Sequence, residues 1–93
     1  MGLFEDACDK RTPAQRKRAA RQAMQSAVNR AMAKIQNEYF HTYSRIPGSA
    51  SDAEQKRLER TAFERALSAR STVIKRYRKE GVTFPKMKRR VLQ

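Results

Sequence analysis

Residues Ile46 to Ser51 read IPGSAS, and they decide whether this chain is one long rod or a rod folded in two. Pro47 disfavours helical geometry at Ile46, and Gly48 opens a turn. Ser51, followed three residues later by Glu54, spells a capping box at the start of a new helix. Asp52 adds the negative charge that a helix start favours.

Upstream of the break, no glycine or proline interrupts the chain between Pro13 and Pro47. Ala20, Met24, Val28, Ala31, Ile35 and Tyr39 recur there at steps of three and four, the period of one helix face. Thr12, Pro13 and Gln15 form a start signal: a hydroxyl to cap free N–H groups, a proline suited to the first helical position, and an amide that reaches back. The pattern predicts a helix over about 13–44.

Downstream, Leu58, Ala62, Ala66, Ala69, Val73 and Tyr77 make a second stripe, flanked by Phe63, Leu67 and Ile74, and Gly81 supplies a stop. This predicts a helix over about 52–80. Two long helices joined by a turn at 45–51 lie antiparallel. The expected fold is all-α: a two-helix hairpin in one domain over residues 1–80, with residues 1–12 as a lead-in. The segment 81–93, which holds Pro85 and four basic residues, reads as an extended or partly helical basic tail.

Charge separates the chain further. Lys and Arg number 22 against 9 Asp and Glu, giving +13 at neutral pH, a self-repulsion that a polyanion relieves. Residues 1–9 carry −3, 10–37 carry +8, 38–65 are neutral and 66–93 carry +8. In the neutral middle, Asp52 with Lys56 and Arg60 with Glu64 stand four apart and are expected to pair. The two basic blocks together hold 17 cations and one acid, Glu80. Arg16, Lys17, Arg18 and Arg21 crowd a helix start, where the macrodipole disfavours cations by about 0.3–1 kcal/mol each.

Folding the hairpin brings the start of the first helix beside the end of the second. Arg11, Arg16, Lys17, Arg18 and Arg21 then meet Lys75, Arg76, Arg78 and Lys79, with the tail residues Lys86, Lys88, Arg89 and Arg90 close by. Arg21 and Lys17 occupy positions where the apolar seam should continue, so helix packing is expected to end near Met24, leaving the ends to splay or to clasp an anion. These residues are the candidate nucleic-acid-binding set, gripping phosphate with low sequence specificity. DNA and RNA are equally compatible with it.

Other chemistry is sparse. Glu38 and His41 share the E-x-x-H spacing of carboxylate-bridged metal bundles, but such sites need several copies and the chain has one histidine. Cys8 lies between Asp6 and Asp9, which raise a thiol pKa, so no reactive nucleophile is expected. Glycine-rich phosphate loops and nucleophile elbows are absent, so neither enzymatic activity, nor a cofactor, nor a small-molecule substrate is expected. Tyr77 lies among cations at the margin of the apolar stripe and reads as a packed tyrosine. Tyr39, Phe40 and Tyr43 fall near the turn, away from the charge. The acidic opening, Glu5, Asp6 and Asp9, is placed to fold back on the basic pole, or Leu3 and Phe4 to dock on the hairpin.

A lone cysteine fits a reducing compartment, and neither a signal peptide nor a membrane-spanning run is visible, so a cytoplasmic setting or a nucleoprotein particle is expected. The absence of tryptophan and the alanine-rich apolar face weigh against adsorption to a membrane. With only about a dozen large apolar side chains, the hairpin looks too lightly stabilised to stand alone, and a homodimer or docking on a partner would complete it. The alternative reading is a helical protein-interaction module, an adaptor, inhibitor or assembly component, using Phe63, Leu67 and Ile74 on the second helix.

Overall fold

A computed structural model of the chain describes residues 11–78 and 81–90. Within them the chain forms two helices and no strand, α1 (Pro13–Ser44) and α2 (Asp52–Tyr77). At the start of α1 the capping box is complete: the Thr12 hydroxyl accepts from the Gln15 N–H at 3.2 Å, and the Gln15 side-chain oxygen accepts from the Thr12 N–H at 2.8 Å. The start of α2 carries half of one. Ser51 Oγ accepts from the Glu54 N–H at 3.2 Å, while the Glu54 carboxylate turns to Arg57, 3.8 Å away on the next turn.

The break forms at IPGSAS, as the pattern requires. The Ala50 N–H closes a turn on the Pro47 carbonyl at 3.1 Å, and the Gln55 side-chain amide reaches the carbonyls of Pro47, Gly48 and Ala50 from the first turn of α2. Gly48 plays no steric part, since it has no positive φ and a Cβ there would meet nothing within 4 Å. Proline and the caps therefore make this corner.

The core is unequal in its two halves. Val28, Met32, Ile35 and Tyr39 are buried on α1, whereas the buried apolar residues of α2 are the small Ala62 and Ala66. Small side chains on one helix let the other approach closely, and the bulk comes from α1. Compared with the sequence stripe, the buried set shifts to include Met32, while Ala20 is exposed. A third layer packs on this core.

That layer is the tail. Helix α2 stops at Tyr77 rather than near residue 80, Arg78 is already extended, and Gly81 takes φ +85. From there, residues 82–90 run back over the hairpin without helical structure, and Val82, Phe84 and Met87 pack against the core. Two glutamines of α1 bracket this segment. Gln25 exchanges both amide hydrogen bonds with the backbone of Thr83, N–H to oxygen and side-chain nitrogen to carbonyl, at 2.8 Å each. Gln36 does the same with Lys88 at 2.7 and 3.0 Å.

The register follows from geometry. Eleven helical residues rise about 16.5 Å and five extended residues span about 16.5 Å, so Gln25 to Gln36 matches Thr83 to Lys88. Each glutamine amide acts as a neighbouring strand would, satisfying one N–H and one carbonyl of an otherwise unpaired backbone. From α2, Arg70 donates to the carbonyls of Pro85 and Phe84 at 2.9 and 3.1 Å.

Candidate nucleic-acid interface

At its far end the tail is locked by a buried carboxylate. Glu59 is 5% exposed and sits in phase with Ala62 and Ala66 on the α2 seam. Its two oxygens receive the Arg89 guanidinium, Nη2 at 2.7 Å and Nε at 3.0 and 3.1 Å, and the Tyr39 hydroxyl donates to it at 2.7 Å. The same hydroxyl accepts from the Arg90 N–H at 3.0 Å. Arg89 holds the Glu59 carboxyl below its ordinary value, against the opposing effect of burial. Burial, and then the bond to Glu59, push the Tyr39 phenol up.

Aromatic rings complete the lock. The Arg89 guanidinium lies 4.7 Å from the centre of the Phe63 ring, and that of Arg90 lies 4.7 Å from Phe40 and 5.5 Å from Tyr43. These distances are within the range of cation–π attraction. The aromatic group near the turn, expected to lie away from the charge, is therefore the seat of Arg90, and Phe63 beside it is the seat of Arg89.

The candidate cations consequently fall into two groups. Arg11, Arg16, Lys17, Arg18 and Arg21 are all exposed around the start of α1, and Lys75, Arg76 and Arg78 are exposed at the end of α2. Arg21 marks where these two ends approach, because its side chain packs on Gly81: a Cβ at that glycine would stand 2.7 Å from Arg21 Cδ. Among the described residues, Gly81 against Arg21 and Thr83 bonded to Gln25 stand at the end where an anion clasp between splayed helices was expected.

Tail residues leave this pole. Lys88 is level with Gln36, and Arg89 and Arg90 reach Tyr39, about 27 Å along α1 from Arg21. Lys86 and Lys88 are exposed on the outside of the tail, so the basic surface continues from the open end as a line along the tail-covered face. Arg89 is set apart from this line by its carboxylate partner. Lys79 and the acidic opening with Cys8 lie outside the described residues. Tyr77 packs against the core, with the Arg76 guanidinium 6.0 Å from its ring.

Of the three residues assigned to a protein interface, Phe63 and Ile74 pack against the core, Phe63 edge-on to Tyr39 at 5.5 Å, and Leu67 remains 43% exposed. The tail residue Arg89 lies over the Phe63 ring. The pairs expected in the middle of α2 are replaced by Arg57 with Glu54 and Arg89 with Glu59. Among the described residues, no three His, Cys, Asp or Glu side chains converge as a metal site, and no helix is long and apolar enough to cross a membrane.

Sequence reading missed the residues that seat the tail. Glu59 carried a signal, being the one acid in phase with the α2 apolar seam, where an unpaired carboxylate is costly. Gln25 and Gln36, three turns apart on one face, carried another. No protein family matches the chain, and neither a curated protein nor a solved structure matches it.

Proposed function

We propose that the chain binds nucleic acid through phosphates, with low sequence specificity and without catalysis. Its surface is the open end together with the outer side of the tail. The observation that supports this is a difference in pairing. Lys17, Arg18, Arg21, Lys75, Arg78, Lys86 and Lys88 have no carboxylate partner among the described residues, whereas the acids Glu54 and Glu59 are matched to Arg57 and Arg89. Each phosphate neutralised by such a cation releases condensed counterions, and this supplies affinity without reading the bases.

The cations at the start of α1 oppose the macrodipole in the free protein. A phosphate between them offsets the repulsion and also meets the positive end of the helix. The exposed lysines of the tail extend the cationic surface further along the same face, in keeping with a component of a nucleoprotein assembly in a reducing compartment.

The test is a titration with duplex DNA, single-stranded DNA and an RNA hairpin at several salt concentrations, using wild type and a variant with Arg18, Arg21, Lys86 and Lys88 changed to Gln. On duplex DNA the slope of log K against log salt should shallow by up to about 0.9 for each phosphate that the variant no longer neutralises. An unchanged slope would remove this surface from the binding site. No salt-dependent binding by wild type to any of the three would remove the function.

A further inference from the structure

The tail covers one face of the hairpin and leaves the other open. On that second face a groove of about 720 Å³ runs between the helices. Its floor is made by Ile35 and Tyr39 from α1 and by Ala62, Ala66 and Ala69 from α2. Its rims carry Arg30 and Lys34 on one side and Arg65 on the other, all exposed, with Glu38 as the acid among them. Towards the turn, Arg45 lines a smaller continuation with Leu58 and Pro47.

We propose that this groove receives an acidic amphipathic helix from a protein partner, separately from the nucleic-acid surface. Three features select that occupant. The alanines of α2 leave the groove shallow and smooth, so a third helix can lie between α1 and α2 at the usual 8–10 Å axial spacing and complete a second layer over the core. Cations on both rims are complementary to carboxylates flanking an apolar stripe, the helix-in-groove arrangement. A second copy of this chain is disfavoured, because it would bring another +13 against the same basic rims. The chain's own tail is committed to the opposite face through Gln25, Gln36, Arg70 and Glu59.

The experiment uses the full chain and a synthetic helical peptide of three turns, with leucines spaced three and four apart and glutamates on both flanks. Two control peptides accompany it, one with lysine in place of every glutamate and one with the same composition in scrambled order. Binding is followed by amide chemical-shift mapping and by titration. Binding of the acidic peptide with shifts centred on Ala62, Ala66 and Ala69, weakened about tenfold by the triple change of the exposed Arg30, Lys34 and Arg65 to Glu, is the expected result. The variant with Arg18, Arg21, Lys86 and Lys88 changed to Gln should bind the same peptide within about twofold of wild type. This separates the groove from the phosphate surface.

Equal binding of the scrambled or lysine peptide would overturn the proposal, as would shifts confined to the tail face. So would a solution mass showing a dimer whose formation is abolished by the rim variant, because the occupant would then be a second copy. None of these outcomes bears on the salt-dependent binding of duplex DNA.

Discussion

At the open end, Arg18 and Arg21 stand on α1 with no carboxylate partner among the described residues; about 27 Å along the same helix, at the level of Tyr39, Arg89 is gripped by both oxygens of Glu59. Both groups come from basic runs that look alike in sequence, QRKRAAR and KMKRR. The difference lies in a third place, the α2 seam, where a single buried acid converts one run into a fastening and leaves the other as surface. Charge density in a run does not distinguish a ligand site from a structural clasp. The position of the nearest buried carboxylate does.

The strongest way to break this comparison is Glu59→Ala. It takes hydrogen bonds from the Tyr39 hydroxyl and the Arg89 guanidinium together, and losing such buried bonds costs about 1–3 kcal/mol. Denaturant unfolding should show the loss, and hydrogen exchange at Lys88 should rise towards that of an unattached segment. A tail that stays protected in this variant would mean that the glutamine brackets hold it alone. The clasp would then be dispensable, and the two ends would be more alike than their charge pairing suggests.

Nucleic-acid affinity should follow the opposite order. Arg18→Gln with Arg21→Gln should lower the salt slope on duplex DNA by up to about 1.8, whereas Arg89→Gln should leave it within error. The same titration of Arg90→Gln sharpens the contrast. Its guanidinium sits on Phe40 and Tyr43 without a carboxylate, so its charge remains open to a phosphate and the slope should fall by about 0.9.

A proton titration probes the loop end through Glu59 and Tyr39. The Glu59 carboxyl is held below its ordinary value of 4.5, so its contribution is complete above that pH and is lost as the pH falls through the lower folded value. Tyr39 is shifted the other way, above 10.0. Its contribution is therefore complete below pH 10 and is lost as the pH rises through the folded value. Thermal midpoints measured from pH 2 to pH 11 should fall at both extremes, and Glu59→Gln should flatten the acid limb. An acid limb that persists in the variant would assign it to other carboxylates.

The parts of this molecule that were legible in sequence are the ones decided within a few residues. Thr12 to Gln15, IPGSAS and the three-and-four spacing of Met24 to Tyr39 each act over one or two turns, and they placed both helix starts and the end of α1. The tail is decided by a coincidence across more than fifty residues, the equal rise of Gln25 to Gln36 and of Thr83 to Lys88, which no local pattern contains. The early end of α2 at Tyr77 belongs with it, since from Gly81 the chain already runs back over the hairpin. The basic pole was legible as far as helix packing alone determined it, and misread where the tail carried Lys88, Arg89 and Arg90 away.

The two glycines bring the same contrast down to its smallest effect. Gly81, at the open end, has φ +85 and the Arg21 side chain where a Cβ would go. An alanine there meets both a left-handed backbone, disfavoured by about 1–2 kcal/mol, and a guanidinium stem that must move. Gly48, at the loop end, has ordinary φ and open space. Gly48→Ala should instead stabilise the chain by about 0.4–1 kcal/mol, because it restricts the unfolded state while leaving the folded one untouched. Opposite signs in the thermal midpoints of these two variants would show that the open end is built around its glycine while the turn at the loop end is held by Pro47, Ser51 and Gln55. A loss of stability in Gly48→Ala would mean that the turn needs backbone freedom that its φ angles do not display.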